Sequence, residues 1–346
     1  MRSFLALVLL AAGCNQTEIH RASNTDEFEQ APSNLVDILW VIDNSKSMGA
    51  WQSSVARGAE DFTANLETTS MDFHLGVITT DVDRTNPYAG VLLGQPPVLT
   101  GATPQYASEF GARVMQGEDG DDQEKGLQAA VTALSPPLVD TINQGFLRDG
   151  AMLSVVILSD ENDCSDNGAL GATSEGDACY TRPAELTPVT DLVRQLVDLK
   201  GGDPVVISGI VGPEDTGACV SSVPGRRYHS AFALLGGVSA NICETDYSVI
   251  MDALGEVATG ILTVFQLTKA AVEETIEVTV QLDEDAEPLD VAPLETGADG
   301  WTYIEEYAQI EFHGAAIPPR GALIKVKYDV AGQVEEREDE AVEGGL

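Results

Sequence analysis

The sequence predicts an α/β protein, a doubly wound and mostly parallel sheet followed by a small β module. Three observations carry that prediction. Short, continuously apolar runs rich in β-branched residues alternate with stretches of helical periodicity, the pattern of strands buried on both faces between crossover helices. Two of these runs end in aspartate, at Asp43 and Asp160. After residue 267 the pattern changes to period two, as in 275–280 and 322–328.

Taken in order, residues 1–13 read as a lipoprotein signal peptide. Arg2 supplies a positive charge and residues 4–12 form an apolar run. That run is too short for a bilayer, which takes about 20 residues, and suits a signal core. Leu10-Ala11-Ala12-Gly13-Cys14 resembles a bacterial lipobox, although Ala11 stands where Leu is commoner. The resemblance implies that Cys14 is lipidated and becomes the mature N-terminus. Residues 14–33 are polar and read as the lipidated Cys and a flexible tether. Asn15 follows Cys14 in place of the Asp of an inner-membrane retention signal, which favours the outer membrane.

Residues 34–267 read as one α/β domain. The stretch 35–43 is a strand, and Trp51, Val55, Ala59, Phe62 and Leu66 recur at helical spacing. A second strand covers 73–80. Gly and Pro in 88–104 indicate a hairpin or irregular loop. Helical patterns follow near 105–116 and 123–135, and 152–160 is the strongest strand in the chain. A helix near 184–200, a strand at 205–211, helices near 226–236 and 246–260 and a strand at 262–267 complete it. Residues 268–330 read as the small β module, and 331–346 as an acidic, disordered tail.

Acidic residues outnumber basic ones 56 to 18, a net charge of −38. That argues against nucleic-acid binding, which relies on Lys and Arg, and against docking to anionic lipid by charge. The membrane is then met only through the N-terminal lipid. Beyond Cys14 the cysteines number four, Cys164, Cys179, Cys219 and Cys243. An even number in an exported chain points to disulfides. Nearest-neighbour pairing gives Cys164–Cys179 and Cys219–Cys243, with two other connectivities open.

Asp43 is followed by Asn44-Ser45-Lys46-Ser47. An Asp with hydroxyls at +2 and +4 offers hard oxygen donors from one tight turn, which suits Mg²⁺, Mn²⁺ or Ca²⁺. Asp43-x-Ser45-x-Ser47 after an apolar strand resembles the DxSxS motif of von Willebrand factor A (VWA) domains, where it forms the metal-ion-dependent adhesion site, or MIDAS. Asp160 matches that family's second Asp. The run 160–165, Asp-Glu-Asn-Asp-Cys-Ser, is similar to one in VWA-domain lipoproteins of bacterial envelopes. The resemblance covers about residues 34–266.

The family's remaining ligand is a hydroxyl in a GTxxxxGLxAA pattern. Here that segment starts Gly120-Asp121 and continues to Gly126-Leu127, so Asp121 stands in the hydroxyl's place, with Asp122 as its alternative. Extra negative charge there favours Ca²⁺ over Mg²⁺. A third alternative is that the loop has lost the ligand; Glu118, Asp119, Asp121, Asp122 and Glu124 read as a solvated acidic loop beside the metal, with a Ca²⁺ loop as the alternative.

The resemblance implies a lipid-anchored, cation-dependent protein-binding module of the bacterial envelope. Asp43, Ser45, Ser47, Asp160 and Asp121 would hold a divalent cation that bridges to a partner's acidic residue. The alternative is a structural envelope lipoprotein with a silent or purely structural metal site. The expectation is that the chain is no enzyme. Position 45 is Ser where an Asp-x-Asp phosphatase needs Asp, and no GxSxG, HExxH or Walker loop occurs.

Overall fold

The computed structural model describes residues 20–30, 33–82, 86–171, 178–283, 285–294 and 297–335. The signal segment and Cys14 lie outside the described residues, as does the tail beyond 335. Among the described residues twelve strands are formed: β1 His20–Glu29, β2 Leu35–Ile42, β3 Asp72–Thr79, β4 Met152–Ser159, β5 Val205–Val211, β6 Ser239–Asn241, β7 Val264–Gln266, β8 Glu277–Gln281, β9 Leu289–Val291, β10 Gly300–Ile304, β11 Gln309–His313 and β12 Leu323–Glu335. The α-helices are α1 Gly49–Arg57, α2 Ala59–Thr68, α3 Tyr106–Val114, α4 Gly126–Leu134, α5 Ala178–Thr181, α6 Val189–Lys200, α7 Arg226–Leu235 and α8 Tyr247–Ala258.

Five strands make a parallel sheet in the order β3-β2-β4-β5-β6. Because side chains alternate across a strand, β2 feeds two cores. Val36, Ile38, Trp40 and Ile42 pack with Val55, Phe62, Phe110 and Leu254 of α1, α2, α3 and α8. Trp40, Phe62 and Phe110 meet with ring centroids 5.2–5.6 Å apart. Leu39 and Val41 face the other way, against Leu127, Leu196 and Phe232 of α4, α6 and α7. Helices thus cover both faces, which is why β2 and β4 read as unbroken apolar runs. The Gly- and Pro-rich stretch after β3 runs along the edge of that strand. Leu75 and Leu99 exchange both backbone hydrogen bonds, and the amide of Leu93 bonds the carbonyl of Val77.

At the amino end of β2, Asp37 is buried against Arg148. Its Oδ1 accepts from Nε at 2.7 Å and its Oδ2 from the Arg148 amide at 2.6 Å. Burial raises this carboxyl, and the guanidinium opposes the rise.

The remaining strands form an antiparallel unit with its own core of Phe265, Val278, Trp301, Phe312, Val326 and Tyr328. One sheet has the order β1-β12-β8-β9 and the other β10-β11-β7. Here the sequence expectation needs correcting. Residues 20–29, expected in a flexible tether, are β1, paired with β12 from His20↔Glu335 to Glu29↔Leu323. Residues 331–335, expected in a disordered tail, continue β12. Each strand completes the other's hydrogen bonds. The parallel-sheet unit is therefore an insertion between the first strand of the β unit and its remainder.

Candidate functional site

Two aspartates close the two central strands of the parallel sheet. Asp43 follows β2 and Asp160 follows β4, and the Asp43 amide still bonds the Leu158 carbonyl at 2.9 Å. From β2 the chain moves to β3 on one side, then returns to β4 on the other. The loops leaving β2 and β4 diverge at such a switch point and open a crevice beyond the carboxyl ends of the strands.

Asp43 is fully buried. Its Oδ1 accepts the Ser45 amide at 2.8 Å, which tightens the turn 43–45, and its Oδ2 accepts the Ser159 hydroxyl at 2.7 Å. Burial pushes this carboxyl up to about 7, and the charge of Asp160 adds to the rise. Asp160 is 3% exposed, and burial raises it too, against a hydrogen bond from Ser47. Ser45 Oγ and Asp160 Oδ1 are buried without a hydrogen-bond partner. Asp43, Ser45 and Asp160 are thus brought to one place by the 43–45 turn and by the bond that Ser159, next to Asp160 in sequence, gives to Asp43, while Ser47 is exposed.

The acidic loop before α4 lies against this turn. The Gly120 amide bonds the Asn44 carbonyl at 2.8 Å, and a Cβ on Gly120 would stand 2.5 Å from Asn44 Oδ1. Gln52 ties the two segments by donating to the carbonyls of Asp43 and Gly117 at 2.8 and 2.9 Å. Asp121 is exposed, and its Oδ1 accepts the Gln123 amide at 3.2 Å. Asp122 is exposed as well.

Glu124 departs from the expectation of a wholly solvated loop. It is 1% exposed, and neither carboxylate oxygen has a hydrogen-bond partner. Its carbonyl accepts the Cys164 amide at 2.7 Å, and the Lys125 amide bonds the Thr80 carbonyl at 3.4 Å. These bonds hold it between the ends of β3 and β4. Burial, then the charges of Asp43, Glu161 and Asp160, push its carboxyl up to about 10. Sequence reasoning missed this residue, because a Glu among four other acids gives no periodic signal of burial. Its place just before a helix that starts beside the Asp43 turn is the one clue.

Lys46, within the turn, is exposed, and two other nearby cations are engaged elsewhere. Arg227 pairs with Asp163 at 3.0 Å and Lys125 with Asp166 at 2.8 Å. Asp163 Oδ1 and Ser165 Oγ also accept the amides of Leu127 and Gln128, so they cap α4. Among the described residues no Lys, Arg or His is ion-paired with Asp43, Glu124, Asp160 or Glu161. Among the same residues no three His, Cys, Asp or Glu side chains form a ready-made metal-binding group. The set around Asp43 instead mixes carboxylates with serine hydroxyls. Hard oxygens, buried and lacking a neutralising side chain, fit a divalent cation by their chemistry.

The segment after Asp160 is pinned by the disulfide Cys164–Cys179, and Cys219–Cys243 ties the segment after β5 to the one after β6. These are the nearest-neighbour pairs, and they suit an oxidising, extracytoplasmic compartment. Among the described residues no helix is long and apolar enough to cross a membrane.

No protein-family model matches the chain, and no curated protein does. Among solved structures, the pilus adhesin SpaC from Lactobacillus rhamnosus GG is 10% identical with a TM-score of 0.40, covering 93% of this chain and 44% of that one. The human COPII-coat protein Sec24c is 8% identical with a TM-score of 0.39, covering 91% and 42%. The chain thus spans less than half the length of either.

Proposed function

We propose that this chain is a lipid-anchored VWA-type module of the bacterial envelope that binds a protein partner through a divalent cation. In this reading the parallel sheet has the doubly wound VWA layout, and Cys14 carries the lipid that holds the chain at the outer membrane. Asp43, Ser45, Ser47 and Asp160 hold Mg²⁺, Ca²⁺ or Mn²⁺. The loop 120–125 supplies a further donor, for which motif spacing indicates Asp121. When bound, the ion supplies a Lewis-acidic position for a carboxylate oxygen of the partner. The protein's own groups set the geometry. Ser159 fixes the Asp43 carboxylate, and the Ser45 amide orients its other oxygen.

One observation carries the reading. Asp43 and Asp160 are buried side by side at the switch point, with Ser45 Oγ and Asp160 Oδ1 lacking any donor or acceptor from the protein. An uncompensated buried carboxylate is costly, and a cation removes the cost.

The test is calorimetric titration of Mg²⁺, Mn²⁺ and Ca²⁺ into the full chain and into Asp43→Ala. Binding by the wild type and at least a tenfold loss in the variant are expected. Equal affinity in the two would sink the assignment. A partner captured from the native envelope should then be released by chelator. Cation binding with no chelator-sensitive partner would favour the structural-lipoprotein reading instead.

A further inference from the structure

We infer that the Thr268 hydroxyl and the Asn24 side-chain amide condense into an internal ester, which joins β1 to the segment after β7 and releases ammonia. The inference is independent of the cation site. Asn24 and Asp26 lie two residues apart on one face of β1, and Asn24 pairs with Tyr328 of β12. Thr268, just past β7, reaches the same point. Asn24 Nδ2 stands 3.0 Å from Thr268 Oγ1, 2.8 Å from the Tyr328 hydroxyl and 3.1 Å from Asp26 Oδ1. Thr268 Oγ1 donates to Asp26 Oδ1 at 2.7 Å, and the Tyr328 hydroxyl donates to Asp26 Oδ2 at 2.7 Å. A hydroxyl, an amide and a carboxylate thus meet within hydrogen-bond reach, although Asn24 and Thr268 are 244 residues apart.

Each group has a task in such a reaction. A hydroxyl is a weak nucleophile until an adjacent base takes its proton. Asp26 is 7% exposed, and against burial the bonds from Thr268, Tyr328 and Asn24 hold its carboxyl below the usual range, so it is ionised at neutral pH. The Thr268 amide fixes its Oδ2 at 2.8 Å, which leaves Oδ1 turned to the Thr268 hydroxyl. The carbonyl carbon of Asn24 is one bond, about 1.3 Å, from the nitrogen that touches Oγ1. The last torsion of an Asn side chain is broad, and turning it presents the face of that carbon to Oγ1. Both reactants are held by the fold, which removes the entropy cost of an encounter.

The step balances within the protein. Thr268 gives its proton to Asp26 as Oγ1 adds to the Asn24 carbonyl carbon, and the bond from that carbon to Nδ2 breaks. Tyr328, bonded to both Asp26 Oδ2 and Nδ2, gives its proton to the leaving nitrogen and is reprotonated by Asp26. One amide and one hydroxyl give one ester and one ammonia, with no oxidant or reductant. Thr268 is exposed, so ammonia escapes to solvent and the step runs one way. The ester links the β1-β12-β8-β9 sheet to the end of the β10-β11-β7 sheet. It fastens a strand that the fold otherwise holds mainly by hydrogen bonds.

The test is a tryptic peptide map, by mass spectrometry, of the reduced full chain after incubation at neutral pH. Cleavage at Arg21, Lys46, Arg227 and Lys269 releases residues 22–46, which hold Asn24, and 228–269, which hold Thr268. The expected result in the wild type is one species joining the two peptides, about 17 Da lighter than their sum through the loss of ammonia. Thr268→Ser keeps the hydroxyl and should keep the link. Thr268→Val keeps the side chain's shape without the hydroxyl, and Asp26→Asn keeps the size without the base; both should give separate peptides. Separate peptides of unaltered mass in the wild type would overturn the inference. So would an equal mass loss on peptide 22–46 alone, present also in Thr268→Val, which marks a cyclic imide formed by Asn24 on its own backbone. Should Asp26→Asn not fold, the contrast between Thr268→Ser and Thr268→Val decides.

Discussion

Ser159 donates its hydroxyl to Asp43 Oδ2 at 2.7 Å, joining the last residue of β4 to the first residue past β2. Both groups are fully buried. The bond therefore locks the rotation of a carboxylate whose other oxygen already accepts the Ser45 amide. A hydrogen bond to a charged group is worth about 1.5–3 kcal/mol. Ser159→Ala should lower stability in denaturant titration by about that amount, and should weaken cation binding several-fold by freeing the Asp43 side chain. Asp43→Ala removes the ligand itself and should have the larger effect on the cation. A Ser159→Ala protein with wild-type stability and affinity would show that the bond orients nothing.

The carboxyls at the site titrate late, and this fixes a sign for stability against pH. Asp43 is pushed up to about 7 and Glu124 to about 10 in the folded chain. In the unfolded chain both ionise near 4. Between these values the folded state binds more protons than the unfolded one, so stability falls as pH rises from about 5 to 8. A bound divalent cation removes the reason for holding those protons. The expected outcome is a Tm that falls over this range in chelator, and a Ca²⁺-induced rise in Tm that is greater at pH 8 than at pH 5. An equal rise at both pH values would count against a cation held by Asp43.

How much of this was legible in sequence follows from which residues face inward. β2 and β4 are apolar on both faces because helices cover both, and a continuous apolar run is the signal that periodicity detects best. The DxSxS turn was legible because its donors lie within five residues. β1 was not, since its inward side carries Asn24 and Asp26, satisfied by hydrogen bonds, and a single apolar residue, Phe28, packed on Phe265. Glu124 escaped for a different reason, as its burial follows from backbone bonds of residues 124 and 125 to Cys164 and Thr80, both distant in the chain.

Arg148 and Asp37 form the second charged point of the parallel sheet, at the end away from the site. Asp37 is fully buried and Arg148 also bonds the Val36 carbonyl at 2.8 Å and Asp72 Oδ1 at 2.8 Å. Removing one partner of a buried pair leaves the other's charge uncompensated, at a cost of about 3–5 kcal/mol. Arg148→Met should therefore destabilise strongly, while Arg148→Met with Asp37→Leu should recover much of the loss. Equal destabilisation in the single and double variants would mean that packing, not charge, makes the contact.

The insertion of one unit into the other makes a prediction about the N-terminal strand. Asp26 accepts from Thr268 Oγ1 at 2.7 Å, from the Thr268 amide at 2.8 Å and from the Tyr328 hydroxyl at 2.7 Å. It therefore ties β1 to the start of the C-terminal segment. These bonds outweigh burial and hold its carboxyl below the usual range. A depressed carboxyl contributes stability above its unfolded value of about 4, lost as pH falls through the folded value. Asp26→Ala leaves the buried Tyr328 hydroxyl without this acceptor, at a cost of about 1–3 kcal/mol, and frees the exposed Thr268. The variant should unfold the β unit early in denaturant, read by Trp301 fluorescence with Trp40 and Trp51 replaced by Phe. The parallel sheet has its own two cores and should keep its helical signal at that point. A single transition lost at once by both probes would show that the two units fold as one.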